Sequence, residues 1–485
     1  MSLRSRLSQN SLLSFLSLVG VRLLKFGSTI VFVNIAGSTA VGIYYVFLSL
    51  FRLLNRVGLL GLGQSIIKHI SEFTDNELQD TTAPIIFTAL ALRFVSVGFL
   101  ILGVTFLRAR VDSYVGFDGA WLALSVLLVF IALYATFRSI LFGQRRVGIA
   151  SMFDVVRDGS VALVQVVLVV VGYAEWGLVA GLLFGLLLAT ISIVVYVRPP
   201  IRFDFDRTQA ESLVSFAKFS YLDDLVGGEY RWLDVLILGI FVPADQIGVY
   251  GVAYAVSQFG FVFSIAIARN ILPEVSNLTA NDQPEQRDTV VRKSLQYSTL
   301  LAIPILVGTV IIGDRLLSDV YSLSSGSETL VILCCGAVVY SAYQQIHQLF
   351  YGLDNPKYAF GLSLLSGVIN VGLALVLVPQ FGIIGTAIST TLALIVVFVV
   401  GLLLADRLTS VSVALPLRHW ILQIGSAIVM GVVVATVNAT FAVDHRLFSA
   451  VLVLIGGLTY GPLLLIADSF LRNQLKRSVT NVLAS

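Results

Sequence analysis

The sequence predicts an all-α polytopic membrane protein, and three observations predict it. Only 12% of the 485 residues are charged while 57% are hydrophobic, where a soluble globular chain carries about 25% charge. The mean hydropathy of +0.93 belongs to the whole chain, so one anchor does not explain it. Apolar runs of membrane length, about 20 residues each, recur from end to end. These features exclude a soluble multidomain enzyme and a disordered chain. They also exclude a disulfide-built protein, because the only two cysteines, Cys334 and Cys335, are adjacent.

Fourteen apolar runs fall near residues 11–36, 40–62, 83–107, 119–142, 152–172, 176–197, 213–240, 247–268, 294–313, 329–352, 358–378, 383–405, 417–440 and 447–468. Backbone groups in lipid must be satisfied internally, so each run is read as a helix. A β-barrel would need short alternating segments, and runs such as VALVQVVLVVVG do not alternate. Arg4 and Arg6 precede the first run as in a signal peptide. That run is long, however, holds Arg22 and Lys25 near its middle and lacks a convincing cleavage site, so it is read as a retained span. Nine of the eleven prolines lie at span boundaries or in loops. Pro304 and Pro462 fall inside spans 9 and 14, where kinks are expected.

Orientation follows from Lys and Arg in the connecting segments. With the N-terminus inside, eighteen cations, among them Arg145, Arg146, Arg198 and Arg292, fall on the cytoplasmic side. Four, Arg108, Arg110, Arg315 and Arg446, fall outside. A plasma-membrane protein with both termini cytoplasmic is expected. The net charge of +3 comes without a basic block, so nucleic acid is not an expected partner.

The sequence matches itself three times at nearly one spacing. GIYYVFLSL from Gly42 pairs with GVYGVAYAV from Gly248, FGQRRVGIA around Gly143 with YGLDNPKYA around Gly352, and EWGLVAG around Gly177 with IIGTAIS around Gly385. Each unit holds six helices, so both enter the membrane the same way, a parallel repeat about an axis along the membrane normal. The expected division is an N-terminal lobe over residues 1–200 (spans 1–6), a C-terminal lobe over 201–408 (spans 7–12), and an appendage over 409–485 with spans 13 and 14. Paired lobes around a central space imply a transporter that rocks between two openings. An enzyme is not expected: the outer loops are short, and the longest loop, between spans 8 and 9, has no catalytic set. No P-loop, metal-ligand spacing or nucleophile motif occurs. No cofactor is expected, and coupling to H+ or Na+ is left open.

Ionisable side chains at mid-membrane cost at least about 2.5–3.5 kcal/mol each, and here they segregate. Arg22 and Lys25 on span 1, Arg52 and Arg56 on span 2, and Arg93 on span 3 form a cationic set with no acid at comparable depth. Spacings of three and four place each pair on one helix face. Snorkelling to the headgroups suits Arg138, Lys218 and Arg269, and is an alternative for Arg56. Arg22, Lys25, Arg52 and Arg93 sit too near mid-span for it, and are expected to line a cavity. Span 7 carries Asp223, Asp224, Glu229, Arg231 and Asp234, with Gly227 and Gly228 between. These acids are read either as a coupling-ion site or counter-charge to the cationic set, or as a structural network. Asp154, Arg157 and Asp158 read as a local ion-pair cluster. His347, with Gln344, Gln345 and Gln348, is either a headgroup contact or inter-helix bonding. Asn438-Ala-Thr440 is a weak glycosylation match beside the membrane.

The stretch IAGSTAVGIYYVFLSLFRLLNRVGLLGLGQSIIKHISE resembles the N-terminal signature of polysaccharide or O-antigen-type flippases of the multidrug/oligosaccharidyl-lipid/polysaccharide exporter superfamily. LFYGLDNPKYAFGLSLLSGVINVGLALVLVPQFGIIGTAISTTLAL looks like their C-terminal half, with Asn370 and VPQFGIIGTAIS in place. The likeness covers most of residues 1–408. It implies flipping of a lipid-linked sugar or oligosaccharide from the inner to the outer leaflet, for surface polysaccharide or glycoprotein assembly. The family's cationic N-terminal cavity is matched by location by Arg22, Lys25, Arg52 and Arg93. Span 8 lacks a mid-span Arg, a departure from the peptidoglycan-precursor flippases. Physically, a phosphate headgroup cannot be desolvated in hydrocarbon, and guanidinium forks replace its water. The expected partners are a lipid-linked saccharide and membrane lipids, with the chain acting as a monomer. The alternative is an ion-coupled exporter of cationic drugs, favoured by the acids of span 7 and opposed by the cations of spans 1–3.

Overall fold

The computed structural model describes residues 3–59, 61–71, 78–198, 210–215, 231–408, 415–441, 446–468 and 472. Side chains are described at these positions except 3–23, 25, 59, 78–83, 231, 408, 446 and 447. The N-terminal helices are α1 (Leu3–Leu59), α2 (Leu62–Ser71), α3 (Leu78–Phe106), α4 (Arg108–Val115), α5 (Ala120–Gly143), α6 (Val147–Val170), α7 (Ala174–Val197) and α8 (Arg231–Phe241). They are followed by α9 (Ala244–Ser257), a 3-10 turn (Gln258–Phe261), α10 (Val262–Ala280), α11 (Pro284–Ser298) and α12 (Ala302–Tyr321). The last four are α13 (Ser327–Gly352), α14 (Pro356–Leu408), α15 (Leu417–Phe441) and α16 (Arg446–Ala467). No β-strand occurs among the described residues. Ten segments among them are long and apolar enough to cross a membrane.

Breaks fall where the sequence places loops. Gly37, at φ 83°, divides α1 between spans 1 and 2. Gly382, at φ 55° and ψ −130°, divides α14 between spans 11 and 12. Both conformations are open to glycine because it has no Cβ. Pro304 lies in the first turn of α12, just after a break at 299–301, where its missing N–H is no loss. Pro462 lies inside α16, which continues through it to Ala467. The connection between spans 3 and 4, read as a loop, forms the helix α4.

The chain divides into two compact units, Met1–Gly248 and Val249–Ser485. In the first, α1 packs on α5, α6, α7 and α8, and α6 pairs with α7. A Cβ at Gly181 would overlap Gln165, and one at Gly185 would overlap Val161. Glycine thus brings the two backbones together, the usual route to close packing where lipid gives no hydrophobic drive. In the second unit, α13 packs on α10, α12 and α14 around Ile346, Leu349, Phe350 and Val397. The last two helices dock on α12 through Ile303, Ala427, Met430 and Leu452. Polar bonds fix both ends of that docking. Thr299 donates to Gln423 at 2.8 Å, and Gln423 donates to the Gln296 carbonyl at 2.8 Å. At the far end Arg315 pairs with Asp319 at 3.1 Å and donates to Asn438 at 2.8 Å. Asn438 of the sequon-like triplet is therefore a packing residue within α15.

The three self-matches in the sequence make equivalent contacts. Gly143 lies against Ile70 and the Ile67 carbonyl, Gly352 against Val275 and the Leu272 carbonyl. Gly177 abuts the Leu168 backbone, and Gly385 the Leu377 backbone. Gly42 and Gly248 oppose each other: a Cβ on Gly42 would overlap the Ala244 carbonyl, and one on Gly248 the Ser38 carbonyl. Ser38 and Ala244 each precede their glycine by four residues, one helical turn. Gly42→Ala and Gly248→Ala are each expected to destabilise by roughly 1–3 kcal/mol. The double substitution should cost less than the sum, because both open one crossing. A fully additive loss, read from thermal melts in detergent, would refute the shared contact.

Candidate functional site

The cations of the N-terminal unit fall into two groups that differ in how their charge is met. The first is a cancelled cluster joining α5 and α6. Arg138 binds Asp154 with two nitrogens, Nε at 2.9 and 3.0 Å and Nη2 at 2.8 Å. Tyr134 donates to the same carboxylate at 3.0 Å. Arg157 reaches Asp154 at 3.4 Å and Asp158 at 2.9 Å, and its guanidinium lies 5.2 Å from the Tyr134 ring centroid. Two arginines and two aspartates sum to zero. The cluster predicted from Asp154, Arg157 and Asp158 is present. Arg138, read as snorkelling, is a full member, because the bidentate fork to a nearby carboxylate outweighs a single headgroup contact.

Arg93 is met differently. It is 1% exposed, and its Nη1 donates to the Ala132 carbonyl at 3.2 Å and to Thr136 Oγ1 at 2.8 Å. Its Nε has no hydrogen-bond partner. Both acceptors are neutral, and no carboxylate pairs with it among the described residues. Thr136 passes its own proton to the Ala132 carbonyl at 2.8 Å, so its oxygen stays oriented to accept from Arg93. The positive charge is held by dipoles and remains uncancelled. Rather than lying open to a cavity, Arg93 is enclosed between α3 and α5.

Arg52 is half-buried on α1, its guanidinium 3.5 Å from the Trp232 ring centroid on α8. Stacking of this kind holds a planar cation in place. Tyr44, on the same helix, accepts a 3.0 Å bond from Gln165 Nε2 on α6, which also donates to the Leu178 carbonyl at 2.7 Å. Arg56 lies one turn beyond Arg52, also half-buried, and neither is a free cation. Asp234, two residues after Trp232, is 1% exposed. The structure thus brings Arg52 of span 2 to the helix of span 7 that carries Asp234. The side chains of Arg22, Lys25 and Arg231 lie outside the described residues, as do Asp223, Asp224 and Glu229. Trp232 and Gln165 were not singled out in the sequence; both lie in apolar runs, and only tertiary contact reveals their roles.

In the second unit, His347 bonds Ser363 at 3.2 Å between the rings of Tyr343 and Tyr351. Gln345 donates to Ser264 Oγ at 2.8 Å. Of the two readings of this patch, inter-helix bonding is the one observed. Cys334 and Cys335 are free thiols. No group of three or more His, Cys, Asp or Glu residues able to hold a metal occurs among the described residues.

Outside the spans, Tyr114 on α4 donates to the Leu236 carbonyl on α8 at 2.6 Å. Burial pushes its phenol up to about 12, so it stays a donor throughout the physiological range. Tyr114→Phe is expected to cost about 1 kcal/mol while leaving α4 folded, since Asp112 holds its C-terminal end. A melting temperature equal to wild type would show that this bond contributes nothing.

Helices of membrane length recurring along the chain define a polytopic membrane protein. The fold is similar to that of a lipid II flippase, MurJ, in its inward closed conformation, with a TM-score of 0.79 at 16% identity over 96% of this chain and 100% of that one. The profile of the polysaccharide biosynthesis protein family matches residues 38–325, and the chain belongs to that family. Among its relatives in Haloferax volcanii are a probable low-salt glycan biosynthesis flippase, Agl15, 26% identical over 89% of each chain. A second is a probable flippase, AglR, 28% identical over 94% of each chain.

Proposed function

We propose that this protein flips a lipid-linked sugar or oligosaccharide, carried on a phosphate or pyrophosphate, from the cytoplasmic to the outer leaflet. The observation that carries the reading is Arg93: a guanidinium enclosed in the apolar bundle whose acceptors are all neutral, so its field is left for an anion. In a low-dielectric interior that field is weakly screened and reaches well beyond contact distance. Family membership and the relatives' names as flippases support the same reading.

In this mechanism the headgroup phosphate exchanges water for the donors of Arg22, Lys25, Arg52 and Arg56. Arg93 adds attraction from behind and holds α3 to α5. The lipid tail stays in the bilayer while only the headgroup crosses. The cations share the phosphate, so no one of them holds it too tightly to release. Dividing the ten segments at Gly37 and Gly382 gives twelve spans, and α6 with the span that ends in α8 makes fourteen, in lobes over 1–200 and 201–408 with 409–485 appended. Equivalent glycine contacts in the two halves support that plan. Both termini are cytoplasmic, the working unit is one chain, and the cycle is alternating access in the plasma membrane. The chain is a transporter rather than an enzyme. Coupling to H+ or Na+ would use Asp234 with Asp223, Asp224 and Glu229.

Arg52→Ala should cut surface glycan export by about 10–100-fold, the equivalent of one charge-assisted bond, with precursor accumulating on the inner leaflet. Arg93→Met separates function from packing. It removes a charge costing about 2.5–3.5 kcal/mol in the membrane and gives up two bonds of similar total value. Its melting temperature should stay near wild type while export falls. A destabilised Arg93→Met protein with normal export would make Arg93 structural. The exporter of cationic drugs, the second reading, rests on buried Asp234. It gains if Asp234→Asn removes drug resistance in cells while Arg52→Ala leaves glycan export intact.

A further inference from the structure

We infer that the cavity between α4 and the start of α5 is a weak binding ledge for an uncharged sugar ring. The inference rests on the flippase reading above for its purpose and on the Lys/Arg orientation for its place at the outer face. The cavity measures about 790 Å³ and is lined by Arg108, Asp112, Ser113, Phe117, Asp118 and Trp121, among others. Its volume lies within the range of small-ligand sites, about 300–1,000 Å³.

The lining has the chemistry a pyranose needs. One sugar face is a patch of C–H groups, for which the half-buried indole of Trp121 is a flat apolar partner with a polar edge. The hydroxyls need planar donors and acceptors, which Arg108 and Asp118 supply. Both are exposed, and neither forms an ion pair among the described residues. Charge decides the ligand class. One guanidinium against two carboxylates leaves the cavity at −1, so a phosphate is repelled and an uncharged ring is not.

The ledge is held in shape from beneath. Asp112 accepts from the backbone N–H of Gly119 at 3.1 Å and of Trp121 at 3.0 Å. Gly116 and Gly119 take positive φ, 99° and 86°, which lets the chain reverse between α4 and α5. Phe117 sets its edge on Trp176 with centroids 4.8 Å apart. Tyr114 ties α4 to α8. Binding therefore orders little of the protein, which lowers its entropic cost. For a flippase, such a ledge would hold the sugars outward while the phosphate leaves its cations.

The test is saturation-transfer NMR on the full chain in nanodiscs, with the methyl pyranosides of glucose, mannose and galactose as probes. At least one should give a signal that Trp121→Ala lowers by tenfold or more, that Asp118→Asn reduces, and that Trp121→Phe largely keeps. Asp118 is exposed, so its substitution tests the ledge without endangering the fold. No Trp121-dependent signal from any of the three sugars overturns the inference, as does a change in Trp121 fluorescence that calcium ions produce and no sugar does. Arg52→Ala, measured alongside, separates the two readings. If it abolishes export while no sugar binds, flipping stands and the ledge falls. If sugar binds but a strain lacking the protein exports glycan normally, the ledge stands and the flippase reading falls.

Discussion

A positive charge inside hydrocarbon must be met by something, and the organisation of the N-terminal unit follows from the two ways in which it is met. Arg138 and Arg157 are met by Asp154 and Asp158. That cluster is electrically closed: it fixes α5 against α6 and offers little to an incoming anion. Arg93 is met by a carbonyl and a hydroxyl, which solvate the guanidinium without cancelling it. The enclosed charge costs insertion energy, its two bonds between α3 and α5 offset that cost, and the charge itself stays uncancelled. An enclosed but uncancelled arginine is therefore more informative about function than an exposed one, which water answers for nothing.

Glycine sets how closely the framework around those charges can assemble. Gly181 and Gly185 press α7 onto α6, and Gln165, at the point of contact, spends its amide on Tyr44 and on the α7 backbone. At the crossing of Gly42 with Gly248 the missing Cβ lets backbone meet backbone, with a carbonyl on each side at the same helical offset. The Ile346–Phe350 cluster of the second unit is instead built from large apolar side chains.

Much of this was legible in the sequence. The runs at 119–142, 176–197 and 417–440 became helices with nearly the same limits, because an uninterrupted apolar run in lipid has one backbone solution. Gly37 and Gly382 broke their helices where the loops were placed. The self-matches around Gly143 and Gly352 became matching contacts, since glycine at a crossing is a constraint that sequence displays directly. What sequence hid was pairing across helices. Arg138 and Asp154 lie 16 residues apart with no helical relation, so nothing in their spacing distinguishes a salt bridge from two snorkelling side chains. Trp232 looked like one more apolar residue until Arg52 lay over it. Helix α4 hid because RARVDSYV is short and polar; its fold depends on Asp112 and Tyr114 finding backbone partners that no local pattern announces.

Helix α5 relates these separate features along one axis. Trp121 stands at its first turn, Ala132 and Thr136 receive Arg93 further along, and Arg138 closes on Asp154 near its end. At 1.5 Å per residue, Trp121 and Ala132 are about 16 Å apart, and Ala132 and Arg138 about 9 Å. One helix thus carries an aromatic cavity wall, the anchor of an uncancelled cation and a neutralised cluster, in that order. A substrate with an anionic joint between an apolar tail and a polar, uncharged head needs attraction for the joint, an unchanging wall beyond it, and a weak polar surface for the head. The fittings of α5 are fixed by backbone and carboxylate bonds, so the spacing that such a substrate would need is set by the helix itself.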